Sequence, residues 1–177
     1  MRSLQDTLQV LETSLLQTPV DVFLEARRIA FLGVGGSAAL ALDAYHKFLR
    51  TGLDVAALTD SHEQLMRAAV TGPDEVFVII SHTGATRDLI EVAELARSRG
   101  AEVVAVTSYG RSPISRVADV LLNVSTPETL YRTEALTSRL AMLTITDILY
   151  VGVSVKIHAR MLANLQLIRE AIKRRRV

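Results

Sequence analysis

Short apolar runs alternate with segments of helical periodicity between residues 29 and 124. Five runs predict β-strands, at residues 29–32, 52–58, 76–80, 101–107 and 119–124. The third run, VFVII, is continuously apolar and mostly β-branched, as expected for a strand whose two faces are both covered. The pattern predicts the α/β class, with a three-layer αβα sandwich around a five-stranded parallel sheet of order 2-1-3-4-5.

The helices between these strands carry clear sequence signals. An Asp-Ser pair at residues 60–61 predicts a helix start, and residues 86–99 read as a helix that Gly100 closes. The helix after the first strand shows one apolar face, made of Ala38, Leu42, Tyr45 and Leu49. These signals place a helix after each of the first three strands.

Apolar stripes also mark the two ends of the chain. The N-terminal stripe, which Pro19 is expected to end or interrupt, consists of Leu4, Leu8, Leu11 and Leu15. From about residue 131 the chain reads as helical, with Gly152 as the expected break. The C-terminal stripe consists of Ile157, Met161, Leu165, Ile168 and Ile172. We therefore divide the chain into an N-terminal helix (1–27, linker or dimerisation), a binding domain (28–155) and a C-terminal helix (156–177). The stripes exceed what one sandwich needs, which predicts a homodimer or higher homo-oligomer.

Two loops should meet where this strand order reverses, because ligands of such sheets lie beyond the carboxyl ends of the strands there. They are residues 33–37 and 81–86. The second loop places the hydroxyls of Ser81, Thr83 and Thr86 around Gly84, directly before a helix whose first turn offers free N–H groups. This chemistry indicates a phosphate site. In the alternative interpretation, Thr86 merely caps the helix and Ser81 ends the strand.

The first loop, GVGGSA, admits a dinucleotide interpretation. Gly33, Gly35 and Ala38 satisfy the pattern G-x-G-x-x-A of NAD-type sites. Such a site also needs an acid near the end of the second strand, but Asp54 opens that strand and Asp60 comes late. We favour a turn in which Gly35 and Gly36 approach a sugar and Ser37 donates to its oxygens.

Composition narrows the possible functions. A chain of 177 residues with 49% apolar and 22% charged residues suits one soluble domain. The net charge of +1 gives no general attraction to nucleic acid or to an anionic membrane. The absence of cysteine excludes disulfides and thiolate sites and suits a reducing cytoplasm. Residues 140–155 form the most lipid-like stretch, but Asp147 in its middle favours a buried helix. We expect no metal and no cofactor, since His46 and His158 have no partner at ligand spacing.

Several motifs together resemble one family. GVGGSA, DSHEQ, ISHTGATRD, GAEVVAVTSYGRSPISRVADVLL and YRTEALTSRLAMLTITDILY are similar to the sugar isomerase (SIS) domain, most of all to the phosphosugar-binding effector domain of RpiR-type transcriptional regulators. The resemblance implies a flavodoxin-like sandwich that binds a phosphorylated sugar and forms dimers. It carries the phosphosugar contacts to Ser37, Ser81, Thr83 and Thr86, with Gly84 in the turn. His82 and Thr83 stand where the family more often has a small polar residue and a second serine.

The resemblance leaves two functions open. RpiR-type regulators carry a helix-turn-helix domain ahead of the sugar domain, so we expect DNA contact only through such a domain, for which this chain has no room. The alternative is an aldose–ketose isomerase, since enzymes of the SIS type are similar in using a glutamate and a histidine. The candidates here are Glu134 with His62 or His82, although each also has a simpler interpretation: a first-turn acid, a solvated residue or a ligand contact. The RpiR-like motifs favour sensing.

Overall fold

Five parallel strands form one sheet with the order β2-β1-β3-β4-β5, as the sequence predicts. The computed structural model describes residues 13–124 and 136–173. The strands are β1 (Arg28–Leu32), β2 (Val55–Leu58), β3 (Glu75–Ile80), β4 (Glu102–Thr107) and β5 (Val120–Asn123). All six residues of the central strand β3 are buried. A strand covered on both faces explains why this part of the sequence is continuously apolar rather than alternating.

Helices cover both faces of the sheet and complete the three layers. They are α1 (Thr13–Glu25), α2 (Ala38–Phe48), α3 (Ser61–Ala69), α4 (Arg87–Ser98), α5 (Leu136–Lys156) and α6 (His158–Lys173). Helices α1, α2 and α5 share one core with alternate sheet residues such as Val78 and Ile80, whereas α3 and α4 pack on Phe77 and Ile79. The three-layer αβα sandwich is therefore confirmed.

The predicted breaks at Pro19 and Gly152 are wrong. Pro19 lies inside α1, which continues beyond it and buries Val20 and Phe23 in the core. Gly152 lies inside α5, and a Cβ atom there would stand 2.8 Å from Val20 Cγ2. The glycine thus lets α1 and α5 approach closely, and the two C-terminal helices separate at Ile157 instead. Burial outweighs the local cost of these two residues.

The predicted apolar face of α2 is not its buried face. Leu42 and Leu49 are each 50% exposed, whereas the residues buried against the sheet are Leu40, Ala41, Ala44 and Phe48. Both sides of this helix are apolar, so periodicity alone could not select the inner one. Two other signals are confirmed: Asp60 Oδ1 accepts a hydrogen bond from Glu63 N (3.0 Å), and Gly100 has a φ of 90°.

Helix α5 contains a stretch, Ser138–Lys156, that is long and apolar enough to cross a membrane by length and composition. In the structure one face of this helix packs in the core beside the sheet, where Met142, Ile145 and Leu149 are buried. Asp147, in the middle of the stretch, forms an ion pair with Lys47 of α2. The stretch is thus buried on one face only, since Leu140, Val151 and Val155 are more than half exposed.

The predicted stripes at the two ends have different outcomes. The N-terminal stripe lies outside the residues whose side chains the structure describes. In the C-terminal stripe Met161 is buried, whereas Ile172 is 52% exposed. Helix α6 is also attached by polar contacts, since Asn164 Nδ2 donates to Thr51 O (2.8 Å) and Arg160 donates to Gly52 O.

Candidate functional site

The first loop leaves β1 and turns through a short 3₁₀ helix, Gly35–Ser37, into α2. The buried Gln64 of α3 fixes its start: Gln64 Nε2 donates to Gly33 O (3.2 Å) and to Leu58 O (2.8 Å). This side chain ties the glycine loop to the end of β2. Gln64 is the last residue of the DSHEQ motif, so this motif stabilises the position of the glycine loop.

The second loop leaves β3 and ends at the start of α4. Ser81 is buried, whereas Thr83 is exposed and its Oγ1 accepts a hydrogen bond from Ala85 N (3.2 Å). Thr86 is the N-cap residue of α4, but its side chain makes no capping hydrogen bond. The alternative interpretation, in which the Thr86 hydroxyl caps the helix, therefore does not account for this side chain. The first-turn N–H groups of α4 lack intrahelical partners, as at any helix start.

A third loop, which the sequence analysis did not single out, braces the second. The carbonyl of His82 accepts hydrogen bonds from Ser108 N (3.1 Å) and Thr107 Oγ1 (3.2 Å). Gly84 has a φ of 60°, and a Cβ atom there would stand 2.6 Å from Ser112 Cβ. The close approach that this glycine allows is therefore to the protein itself. The shape of the phosphate loop therefore depends on residues that follow β4.

The two predicted loops meet at a cavity of about 230 Å³. Gly36 and Ser37 line it from the first loop and His82 from the second. The rest of the lining is Leu40, Ser138, Arg139 and Met142. The structure thus brings three of the predicted residues, Gly36, Ser37 and His82, together at one cavity.

Arg139 is the residue that sequence reasoning missed. Its Nη2 lies 2.5 Å from where a Cβ atom of Gly36 would stand, so the missing side chain of Gly36 makes room for the guanidinium. Arg139 brings a permanent positive charge to the cavity. The signal in the sequence is the polar pair Ser138-Arg139 at the start of an otherwise apolar segment.

The remaining predicted site residues lie elsewhere. Ser81, Thr83, Gly84 and Thr86 follow β3 at the same edge of the sheet but do not line this cavity. His62 borders a separate cleft of about 210 Å³ between α3 and α4, together with Asp88 and Glu91. Glu134 lies outside the described residues. Within residues 13–124 and 136–173, no group of three or more histidine and acidic side chains could hold a metal ion.

The two acids of the dinucleotide interpretation are engaged elsewhere. Asp54 Oδ2 forms an ion pair with Arg28 Nη2 (2.8 Å) at the amino ends of their strands. Asp60 caps α3. Neither side chain is therefore disposed to hold a ribose at the glycine loop, which counts against an NAD-type site.

A doubly wound α/β domain with a cavity where the strand order reverses is the class that this sheet and its loops define. The family model of the SIS domain matches residues 22–152, so the chain belongs to the SIS domain family. It is 39% identical over 170 residues to the HTH-type transcriptional regulator HexR of Pseudomonas aeruginosa, covering 96% of this chain and 59% of the regulator. It is 30% identical over 154 residues to the HTH-type transcriptional regulator RpiR of Escherichia coli, covering 87% of this chain and 52% of that protein.

A solved structure supports the fold. The Vibrio vulnificus NanR protein complexed with ManNAc-6P matches with a TM-score of 0.91 and 24% identity, over 99% of this chain and 66% of that one. The chain is homologous to part of the regulators HexR and RpiR, and it spans between half and three fifths of their length.

Proposed function

We propose that this chain is the phosphosugar-sensing effector part of an RpiR-type transcriptional regulator of carbohydrate metabolism. One observation carries the proposal: loops from β1 and β3 share a cavity at the switch point, and the cavity holds a guanidinium. The two relatives described above, HexR and RpiR, are named as transcriptional regulators. The ligand of NanR, a phosphorylated amino sugar, supports the same class of effector for this chain.

The charges and donors of the site suggest how the ligand is held. The 81–86 loop and the first turn of α4 offer N–H groups and hydroxyls at the positive end of a helix dipole, which suits a phosphate. The sugar then extends over Gly36 and Ser37 toward His82. Arg139 donates charge-assisted hydrogen bonds, which are stronger than neutral ones, to an oxygen-rich ligand.

An aldose–ketose isomerase is the second candidate. One observation favours it: the imidazole of His82 lines the cavity and could move a proton. His62, the other histidine candidate, borders a different cleft. Because the sequence relatives are named as regulators, we favour sensing without turnover. Rapid interconversion of aldose and ketose phosphates by the purified chain would reverse this preference.

The proposal includes a second copy of the chain and a cytoplasmic location, as is usual for a regulator. The exposed large apolar residues of the last two helices are, among those described, Leu140, Val151, Val155, Leu162, Leu167 and Ile172. Met161 is the one residue of α6 that is buried among those described, whereas most of the stability of a helix in a protein comes from packing of its apolar face. We infer that these residues are covered by a partner copy, and that DNA is bound by the part of the relatives that this chain does not match. Sedimentation as a monomer at micromolar concentration would contradict the first inference.

The test of phosphosugar sensing is a binding screen. The purified chain is heated with glucose 6-phosphate, fructose 6-phosphate, N-acetylmannosamine 6-phosphate and ribose 5-phosphate, each beside its unphosphorylated sugar. A ligand at a hundred times its dissociation constant should raise the free energy of unfolding by about 2.7 kcal/mol. Arg139→Gln and Thr86→Val should reduce this gain. Thr144→Val, which removes a hydroxyl that bonds Leu140 O on α5, is the matched control. No stabilisation by any phosphosugar would count against the proposal.

A further inference from the structure

The imidazole of His82 is held from one side only. His82 Nδ1 lies 2.9 Å from Ser108 Oγ, and the edge of the Tyr109 ring packs against the imidazole with ring centroids 5.7 Å apart. His82 Nε2, by contrast, is buried and has no hydrogen-bond partner among the described residues. A buried polar atom without a partner is costly, so such atoms often mark a place where a ligand binds.

The backbone of the same two residues is coupled as well. Ser108 N donates to His82 O (3.1 Å), so residue 108 contacts residue 82 through both its main chain and its side chain. The hydroxyl of Ser108 therefore has a role separable from that of its backbone. It sets the rotation of the ring and decides which of the two nitrogens remains for another partner.

We propose that Ser108 is a positioning residue for ligand binding: it holds His82 so that Nε2 is available to an oxygen of the bound sugar. The inference rests on the proposed function and adds a third loop to the two that line the cavity. His82 lines the cavity together with Ser37 and Arg139, so a sugar oxygen that binds Nε2 would lie near these two residues as well. Ser108 itself touches the ring and not the ligand.

The electrostatic surroundings of the ring are simple. Arg139 of α5 is the one charged side chain among the described residues that line the cavity. The ring contacts the hydroxyl of Ser108 and the ring of Tyr109 from the third loop, and Ser37 of the first loop lines the same cavity as His82. The groups that contact the ring are therefore uncharged, and the one permanent charge among the described lining residues is the guanidinium of Arg139.

A double-mutant cycle tests the inference. Dissociation constants for the phosphosugar that stabilises the wild-type chain most are measured by calorimetry for wild type, Ser108→Ala, His82→Ala and the double variant. Ser108→Ala keeps the backbone contact and should weaken binding about tenfold, the loss typical of one hydrogen bond. In the His82→Ala background the same change should weaken binding by less than about twofold, because the serine acts through the ring.

Two further variants complete the design. Ser108→Thr keeps the hydroxyl and should restore affinity to near the wild-type value. Ser98→Ala is the matched control, since its hydroxyl bonds Leu95 O at the far end of α4. Unchanged affinity in Ser108→Ala overturns the inference, as does an equal loss in both backgrounds, which would mean that the serine acts without His82. If the wild-type chain binds no phosphosugar, the proposed function itself fails, which is a different and distinguishable result.

Discussion

Gly36→Ala should weaken ligand binding while leaving the fold intact. A Cβ atom at residue 36 would stand only 2.5 Å from Arg139 Nη2, well inside normal contact, and at an ordinary 3.5 Å from its Cζ. The atom in the way is the end of a flexible side chain, and Gly36 does not have a positive φ. The guanidinium can therefore swing away at little cost, and the free energy of unfolding should change by less than about 1 kcal/mol.

The substitution should weaken ligand binding instead. A hydrogen bond to a charged group contributes about 1.5–3 kcal/mol, which corresponds to a roughly 10- to 150-fold rise in the dissociation constant when Arg139 is displaced. Arg139→Gln should raise the dissociation constant by a similar factor. Adding Gly36→Ala to Arg139→Gln should change the dissociation constant little further. Calorimetric titration with the best phosphosugar measures all three variants, and urea unfolding checks their stability.

Gly72→Ala provides the control for this substitution, because a Cβ atom there meets its nearest neighbour, Asp74 Oδ1, at an ordinary 3.4 Å. It should bind like the wild type. Wild-type affinity in Gly36→Ala would refute the role that we give to the guanidinium. A large loss in Gly36→Ala beside unchanged affinity in Arg139→Gln would show that the glycine acts in another way.

Three other substitutions test the supports of the site and the opposite end of the sheet. Gly84→Ala should lower the free energy of unfolding in urea by about 2–4 kcal/mol, because the new Cβ atom combines a left-handed φ with a clash against Ser112. A change below about 0.5 kcal/mol would contradict this reasoning. Gln64→Leu should lower the free energy of unfolding by about 1–3 kcal/mol, because it removes the donor that bonds Gly33 O and Leu58 O. Wild-type stability in this variant would contradict the link between α3 and the glycine loop. Burial, and to a lesser degree the charge of Asp119, raise the pKa of Glu102 above its ordinary 4.5. The folded state then holds this proton more tightly than the unfolded state, so stability falls as pH rises through and above 4.5. Glu102→Gln should flatten that fall, and a pH profile of unfolding identical to that of the wild type would contradict the assignment.

The carboxyl ends of the strands were predictable because their chemistry is local. A buried strand followed by Ser81, Thr83 and Thr86 changes from apolar to hydroxyl-rich within a few residues, and parallel strands bring such ends to one edge of the sheet. The position of Ser37 followed from the same argument. What could not be read in this way is which of these residues faces the cavity.

Long-range packing decided the rest. Arg139 lies more than a hundred positions after Gly36 in the chain, and no periodic pattern links a missing Cβ in one loop to a guanidinium on α5. The third loop escaped notice for the same reason, since Ser108 is polar but not unusual by itself. The buried Glu75, which pairs with Arg27 and Arg67, is likewise an ordinary strand-end acid until the fold surrounds it.

The amino-acid sequence by itself determined the number of strands, their order, the family and the edge of the sheet where the ligand is expected, because burial of a parallel sheet imposes a pattern on neighbouring residues. Only the tertiary structure decided the inner face of α2, the continuation of helices through Pro19 and Gly152, and the wall that α5 adds to the cavity. Those outcomes depend on contacts between distant segments, whose packing energy outweighs local preference and leaves no periodic trace in the chain.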